Sequence, residues 1–429
     1  MVKESLVVSF DCYGGKTMAG FFIVLGDKKD DNGRVIESAM SILDELCTYG
    51  YYSTNLHINN GTQIWAKTKV STFTDYYSMR TGDYIFFIFN RKIYGVGELT
   101  SIEHTDDCKF WTYENANIPT TSTVSFPIFD GINPENRCIC FFKPLEYFSY
   151  AIDMDEALTA YPNSFKSLRV IQGRSLIKMD DEEAQALYAT FTKSNRACKG
   201  QTVDWNTPTF DNSKQIVAGN NIAKNPNYYS FTIESLLTNF KIRGLDGINE
   251  DMAIEAAVVE RLNTGSSVVF DKLTYVSHQV SASPAKPVEY MEWMDVFGYK
   301  TTSSLMSKAI SISFAIEQYY VIEIKRDPLG LKHKGNKEPQ WVKSNKAVAN
   351  RLMKYVDWTA QNYASGKYPM VKGIIVANGF DDDFIEYCKG MCIRNYNSGY
   401  RDATPSVWND IELIKYTFDG QTITFTKVL

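Results

Sequence analysis

The sequence predicts a multidomain α+β protein, with a small β-barrel and helices in its N-terminal half and an α/β core with a mixed sheet in its C-terminal half. The 429 residues are enough for two or three domains, and 44% hydrophobic and 14% aromatic content is typical of a folded chain. Short apolar runs separated by polar turns dominate the first half, whereas helical patterns alternate with apolar strands in the second.

The first clear element is a β-hairpin at residues 81–101, "TGDYIFFIFNRKIYGVGELTS". Apolar residues fill both faces of its two runs, a pattern that favours a closed barrel over a sheet with one wet face. Gly95 and Gly97 fit bends or bulges. Further on, Asp180 and Glu183 have the spacing of a capping box ahead of an apolar helix, so we predict that the first domain ends near residue 195.

Residues 196–250 are rich in Asn, Thr, Lys and Gly and are predicted to form a linker with one short amphipathic piece, "FTIESLLTNF". From residue 251 onward the predicted order is helix, strand, strand, helix, strand, helix, strand, which indicates a mixed sheet. The expected organisation is therefore a first domain at 1–195, the linker at 196–250 and a second domain at 251–429.

The two halves of the chain differ in net charge. Residues 1–195 hold 18 Lys and Arg against 25 Asp and Glu, a net −7, while residues 196–429 hold 27 against 25, a net +2. A polyanionic partner is thus expected mainly on the second half. The apolar runs are too short to span a bilayer, and the N-terminus lacks the basic and then apolar start of a secretory signal. We expect no membrane partner and a cytoplasmic location.

Cysteines and histidines do not predict a metal cage. The eight cysteines form no Cys-x-x-Cys unit and the chain has four histidines, which argues against a zinc site or a disulfide framework. Cys388 and Cys392, at helical spacing, are predicted to be small buried hydrophobes.

The strongest chemical signal is the segment "QYYVIEIKRDPLG", residues 318–330. Alternation along a strand places Glu323 and Lys325 on one face, with Ile322 and Ile324 on the other. A divalent cation would keep a carboxylate charged there, and Mg²⁺ takes one or two protein carboxylates together with substrate phosphate. The preceding strand supplies Asp295. Two carboxylates about 4 Å apart repel by roughly 1 to 4 kcal/mol, which a cation between them reverses.

Lys325 would orient the attacking water and stabilise charge on the phosphate. A third acid comes from the helix "IEAAVVERL", where Glu255 shares the apolar face and Glu260 is expected to point to solvent. The alternative for Glu323 and Lys325 is an ordinary ion pair on an amphipathic strand, and the alternative for Glu255 is a solvated helix acid.

The order of helix Glu, strand Asp and "IEIK" resembles the PD-(D/E)XK nuclease superfamily over residues 250–429. The resemblance implies catalytic roles for Asp295, Glu323 and Lys325, with Glu255, Asp295 and Glu323 as metal ligands and Mg²⁺ or Mn²⁺ as cofactor. The chain departs from the pattern twice. The 28 positions between Asp295 and Glu323 predict an insertion around "KTTSSLMSKAIS", and Arg351 stands where many relatives have Gln, one turn before Tyr355.

"GDYIFFIFNRKIYGVGEL" and "LRVIQGRSLIKMDDEEAQAL" resemble the PUA-like superfamily, in particular EVE-type domains that read modified bases. Such domains hold a flipped base in an aromatic pocket, where stacking and polar edges select it. The candidates for the pocket wall are Trp65, Tyr76, Tyr77, Trp111 and Tyr113, with packing in the core as the alternative.

A basic run follows the Glu-x-Lys strand, and phosphate contact competes there with a plain solvated loop. Its members are Lys332, Lys334, Lys337, Lys343 and Lys346.

These expectations combine into one hypothesis: a Mg²⁺-dependent DNA endonuclease that reads a modified base, as in modification-dependent restriction. Its partner is double-stranded DNA, and cutting both strands favours a homodimer. Two alternatives stay open, a non-catalytic nucleic-acid-binding protein with a nuclease-like fold and a repair nuclease that recognises DNA structure.

Overall fold

The structure is a computed structural model. It describes residues 19–55, 67–101, 107–112, 137–146, 151–167, 176–197, 228–229, 233, 251–282, 292–305, 312–332, 340–341, 343–399, 403–420 and 422–429.

The described helices are α1 (Ala39–Tyr49), α2 (Lys67–Tyr77), α3 (Met154–Ala160), α4 (Asp181–Ala197), α5 (Asp251–Thr264), α6 (Lys343–Asn362) and α7 (Asp382–Met391). None of them, within the described residues, has the length and apolar character that a membrane span requires. The strands of the first part are β1 (Gly20–Val24), β2 (Lys28–Lys29), β3 (Val35–Glu37), β4 (Tyr51–Asn55), β5 (Tyr84–Phe89), β6 (Lys92–Leu99), β7 (Lys109–Thr112), β8 (Arg137–Glu146), β9 (Ile152–Asp153), β10 (Leu176–Met179) and β11 (Tyr228–Tyr229). Those of the second part are β12 (Tyr275–Ser281), β13 (Trp293–Leu305), β14 (Ile312–Ile324), β15 (Leu331–Lys332), β16 (Gln340–Trp341), β17 (Val371–Ala377), β18 (Arg394–Ser398), β19 (Thr404–Trp408), β20 (Ile411–Phe418) and β21 (Ile423–Lys427).

The first part is built on a nine-stranded sheet in the order β10-β1-β5-β6-β8-β7-β11, with β4 also paired to β8 and β9 to β6. The predicted closed barrel is not formed by the described strands, because β10 and β11 end the path without pairing to each other. The prediction that both faces are buried is confirmed. Ile85 and Phe87 of β5 enter one apolar core, and Phe86 enters another that includes residues of α3 and α4.

The predicted hairpin is confirmed as β5 and β6. Its two-residue turn, Asn90 and Arg91, has positive φ at both positions (48° and 62°), the geometry that suits the right-handed twist of paired strands. Gly95, at φ 52°, is an extra residue between the pairs Phe86–Val96 and Phe87–Tyr94, so it is a bulge as predicted. The helix start is confirmed too, since Asp180 Oδ1 accepts from Glu183 N at 2.9 Å.

The division into domains, with a linker at 196–250, stays a prediction. β11 pairs with β7, and Ile233 is buried in the larger apolar core, so this segment contributes to the folded body. The rest of that segment, apart from the end of α4, lies outside the described residues.

The second part is built on a six-stranded mixed sheet in the order β12-β13-β14-β17-β20-β21, which confirms the mixed α/β prediction. β14, β17 and β20 run parallel, and the other neighbours are antiparallel. Ile322 and Ile324 pack on the α5 side of the sheet, whereas Val321 packs with residues of α6 on the opposite side. The predicted alternation of faces along β14 is therefore confirmed.

The residues between Asp295 and Glu323 do not form the predicted insertion, as far as they are described. β13 and β14 continue pairing from Val296–Ile322 as far as Leu305–Ile312, with one bulge at Lys300 and Thr301. The extra residues therefore lengthen a hairpin; residues 306–311 lie outside the described residues.

Helix α5 is enclosed on all sides. Ten of its 14 residues are buried, including Glu255 and Glu260, and its apolar side chains belong to a core that also holds Phe21, Phe73 and Tyr320. The expectation that Glu260 points to solvent is wrong. Its residue is 7% exposed because α2 packs on the side of α5 that a free helix would show to water, and Glu260 pairs with Arg261 at 2.6 Å.

The cysteine prediction is confirmed, since Cys388 and Cys392 are free thiols inside the second apolar core.

Candidate active site

Asp295 and Glu323 lie next to each other on adjacent strands. The register Val296–Ile322 and Phe297–Val321 makes them the next cross-strand pair along β13 and β14, on the face that packs against α6. Asp295 Oδ2 accepts from Ile324 N at 2.7 Å, so this carboxylate also caps the end of the ladder. The antiparallel hairpin thus fixes both acids on rigid backbone.

Lys325 joins the two carboxylates. Its Nζ lies 2.9 Å from Glu323 Oε1 and 3.7 Å from Asp295 Oδ2. Its backbone N donates to Val376 O of β17 at 2.8 Å, and the next residue, Arg326, donates its N to Asp251 at the start of α5 at 2.8 Å. The Glu-x-Lys segment is therefore held by elements on both sides of β14, and the predicted proximity of acid and base is observed.

Arg351 of α6 completes the cluster, which we call the Asp295 cluster: Asp295, Glu323, Lys325 and Arg351. Its Nη2 donates to Glu323 Oε1, the same oxygen that Lys325 contacts. Glu323 is 0% exposed, and its Oε2 has no hydrogen-bond partner among the described residues. Two cations balance two carboxylates here, but one buried acceptor is left unsatisfied, which is costly unless something binds it.

Glu255, the third predicted acid, is held elsewhere. His278 Nδ1 lies 3.4 Å from its Oε2, and Gln279 Nε2 donates to both of its oxygens at 3.1 Å. Burial raises the pKa of Glu255, and the negative charge of Asp295 raises it further, against the hydrogen bonds from His278 and Gln279. Across the described residues no three His, Cys, Asp or Glu side chains are arranged to hold a metal ion, so a metal role for Glu255 stays a prediction.

His278 links the two parts of the molecule. On its other side, Nε2 lies 2.8 Å from Asp75 Oδ1 of α2. Burial, the largest influence, lowers the pKa of this imidazole, but Asp75 and Glu255 together outweigh it and raise the pKa to about 9. At neutral pH a charged imidazole therefore bridges two buried carboxylates.

Gln279 has an unusual backbone. Its φ is 50°, although it lies inside β12 between the pairs His278–Val296 and Val280–Met294, and so directly opposite Asp295. A non-glycine residue in this region costs of order 1 to 3 kcal/mol and persists only where its surroundings hold it. The hydrogen bond from the Gln279 carboxamide to Glu255 holds this conformation in place.

The predicted DNA-binding lysines lie mostly beyond what can be described. Lys332 is the second residue of β15, but its side chain is not described, and Lys334 and Lys337 lie outside the described residues. Lys343 begins α6 without a described side chain. Lys346, in the same helix, lies 5.2 Å from the ring centroid of Tyr387. The phosphate-contact role of this run stays a prediction.

The predicted base-pocket aromatics do not form a described pocket. Tyr76 and Tyr77 of α2 are 0% and 2% exposed inside the larger core, so neither ring offers a face for a base to stack on. Trp111 is on β7 without a described side chain, while Trp65 and Tyr113 lie outside the described residues. For the two described tyrosines, packing in the core is the arrangement found.

Sequence reasoning missed the partners that complete these sites. Arg351 stood out as a departure from the nuclease pattern, but its contact with Glu323 depends on how α6 packs on β14. Asp75 and His278 are 203 positions apart, and no local pattern connects them. The small number of histidines, four in the whole chain, was the one signal that the sequence offered.

Comparison with known proteins yields little. No protein-family profile and no curated protein matches the chain. Solved structures that are similar to part of it include the following two. One is the human THYN1 protein in complex with 5-methylcytosine-containing DNA (11% identity, TM-score 0.23, 40% of this chain and 97% of that chain). The other is the DUF55 domain of human thymocyte nuclear protein 1 (11% identity, TM-score 0.24, 40% of this chain and 98% of that chain). Likenesses of this size carry no argument about function, which therefore rests on the residues of the chain itself.

Proposed function

We propose that the protein is a Mg²⁺-dependent DNA endonuclease and that the Asp295 cluster is its catalytic centre. One observation carries the proposal: two carboxylates on adjacent strands share one lysine, with Lys325 Nζ 2.9 Å from Glu323 and 3.7 Å from Asp295. Acids and a lysine held this close on rigid strands match the needs of phosphodiester hydrolysis, in which charge builds up on a phosphate and a water must be oriented.

The residues present fit a hard divalent cation. The buried Oε2 of Glu323 lacks a partner among the described residues, and carboxylate oxygens are the ligands that Mg²⁺ and Mn²⁺ prefer. Asp295 and Glu323 would hold the ion, which supplies an activated water and draws charge from the phosphate. Lys325 would orient the water with its ammonium group and then stabilise the negative charge that develops on the phosphate.

The proposal includes a reader. A base-reading role for the first sheet, with double-stranded and modified DNA as substrate, rests on the resemblance of the hairpin and α4 segments to EVE-type domains. A cut in both strands would need two catalytic centres and hence two copies of the chain. The modified duplexes to be tested include one with 5-methylcytosine, the base present in the human THYN1 complex.

A second candidate is a non-catalytic nucleic-acid-binding protein. It is favoured by the charge balance of the cluster, since Lys325 and Arg351 both already contact the same oxygen of Glu323. A carboxylate so neutralised attracts a cation less strongly.

Incubation of the full chain with Mg²⁺ and a panel of unmodified and base-modified duplexes separates the two. We expect cleavage of one modified duplex, and a loss of at least about 100-fold in rate for Asp295→Asn and Glu323→Gln, because each removes charge that holds the cation. Asn at position 295 keeps an oxygen that can accept from Ile324 N, so the strand end is preserved.

The matched control is Glu317→Gln, an exposed acid earlier on β14, which should cleave like the wild type. Duplex binding without cleavage in Mg²⁺ or Mn²⁺ would replace the nuclease by the second candidate. Full activity in Glu323→Gln would remove the Asp295 cluster from the reaction.

A further inference from the structure

Arg351 makes a surprisingly incomplete contact with Glu323. Its guanidinium has five N–H donors, yet the bond from Nη2 to Glu323 Oε1 is the one hydrogen bond that it makes among the described residues. Its Nε is buried and has no hydrogen-bond partner among the described residues, and the same holds for Oε2 of the acid that it contacts. A well-built arginine–carboxylate pair would use two parallel bonds and leave neither atom unsatisfied.

The side chain of Arg351 is accessible to a ligand that arrives from solvent. The side chain is 41% exposed, whereas Glu323 beneath it is fully buried. Arg351 therefore lies between the carboxylate and the bulk solvent. Lys354 of the same helix is 67% exposed as well, but it pairs with Glu292 at 3.5 Å and does not contact the Asp295 cluster among the described residues.

The charges of the Asp295 cluster also favour phosphate binding by Arg351. With Asp295 and Glu323 negative and Lys325 and Arg351 positive, the four groups sum to zero. A phosphate diester arriving with its negative charge would draw the guanidinium toward itself, and the planar fork matches two phosphate oxygens. Once Arg351 turns away, Glu323 keeps one cationic partner, Lys325, instead of two, so its negative charge is less fully balanced.

We propose, resting on the function proposed above, that Arg351 is a catalytic residue that releases Glu323 and binds the scissile phosphate of the DNA. In the free protein it holds Glu323; in the complex it donates Nε–H and Nη–H to the phosphate. Its positive charge then stabilises the transition state beside Lys325. Cation and DNA would consequently bind with positive coupling, because DNA removes the charge that competes with the cation.

The test compares Arg351→Gln, Arg351→Lys and the control Lys354→Gln in the full chain. Arg351→Gln should lower kcat by about 100-fold, because the guanidinium charge stabilises the charge that builds up on the phosphate in the transition state, and should raise KM by a smaller factor, because one contact to the bound DNA is lost as well. Without DNA, the same variant should bind Mn²⁺ about tenfold more tightly than the wild type, because a competing positive charge is gone. Arg351→Lys keeps that charge without the fork, so it should stay slow and should bind Mn²⁺ as the wild type does.

A readout independent of cleavage is the side-chain Nε–H resonance of Arg351, followed by NMR during titration with a 5-methylcytosine duplex and an unmodified duplex. A shift on binding is expected with the duplex that binds. An unchanged resonance at saturation, or an Arg351→Gln variant that matches Lys354→Gln in kcat, would overturn the inference.

The same experiment keeps the two proposals apart. If the wild type binds a duplex but cleaves none in Mg²⁺ or Mn²⁺, the nuclease proposal fails and the Nε–H resonance alone decides whether Arg351 binds phosphate. If the protein binds no duplex of the panel, both proposals are overturned.

Discussion

At the scale of single residues, Lys178 is the clearest case of a charge placed at a cost. Its residue is 4% exposed, its Nζ donates to Ser78 O at 2.5 Å, and it lies 5.2 and 5.3 Å from the ring centroids of Phe21 and Tyr275. Burial is the largest influence and lowers the pKa of this lysine to about 8, against the attraction of Asp83. The side chain therefore connects the first part of the molecule to Tyr275 of the second. Burial of its charge nevertheless lowers the free energy of unfolding.

The pH dependence of stability follows from this shift. The pKa is about 8 in the folded protein and 10.5 ordinarily, so the penalty is complete below pH 8 and disappears as the pH rises to 10.5. The free energy of unfolding of the wild type should gain about 2 to 3 kcal/mol relative to Lys178→Met across that interval. Denaturant unfolding of both proteins from pH 7 to 10.5 measures the difference. A difference that does not vary with pH would contradict the assignment.

At the scale of elements, strands with strong alternation could be predicted from sequence and elements defined by packing could not. The β5–β6 hairpin, the α4 start and the faces of β14 follow from turn residues, a capping pair and period-two alternation. α2 was missed because its polar sequence, "KTKVSTFTDYY", gives little helical contrast, and its burial comes from packing against α5. Strand alternation also made the positions of Asp295, Glu323 and Lys325 predictable. The contacts of Arg351 and His278 depend on packing between elements and were not predictable.

The contact between β12 and β13 gives a test at this scale. A Cβ at Gly298 would lie 2.5 Å from Tyr275 O and 2.6 Å from a methyl of Leu273, so the two strands can approach only over a glycine. Gly298→Ala should lower the free energy of unfolding by about 2 kcal/mol or more.

Gly390→Ala is the matched control, because nothing lies within 4 Å of the Cβ that it would add in α7. It should raise the free energy of unfolding by up to about 1 kcal/mol through helix propensity. Urea unfolding of both variants checks the pair. Equal effects would show that β12 and β13 are not in close contact at Gly298.

At the scale of the whole molecule, the two sheets share one core. The larger apolar core contains Phe21 and Phe141 of the first sheet together with Val276, Ile322 and Ile414 of the second. Arg80, which follows α2, ties the same interface with polar bonds, since its Nη1 and Nη2 donate to Thr274 O and Leu273 O, and its Nε donates to Asn263. Division into separate domains at 195 and 251 remains a prediction, but the core crosses both positions.

A shared core predicts one cooperative unfolding transition for the full chain. Arg80→Met should lower the free energy of unfolding by about 3 kcal/mol, because it leaves several buried carbonyl groups without a donor, and it should move the whole transition rather than split it. Calorimetry and tryptophan fluorescence together provide the measurement. Arg34→Met, at an exposed position, should change little. Two separate transitions in the wild type would show that the parts unfold independently.

The burial of α5 on all sides also limits how the chain can be recombined. Replacement of the first 195 residues with an unrelated sequence would uncover the side of α5 that α2 covers, and would remove Asp75, the partner of His278. We therefore expect a chimera that keeps only one of the two parts to lose the fold. Substitutions at the interface between the sheets should be tolerated only when both sides of the interface change together.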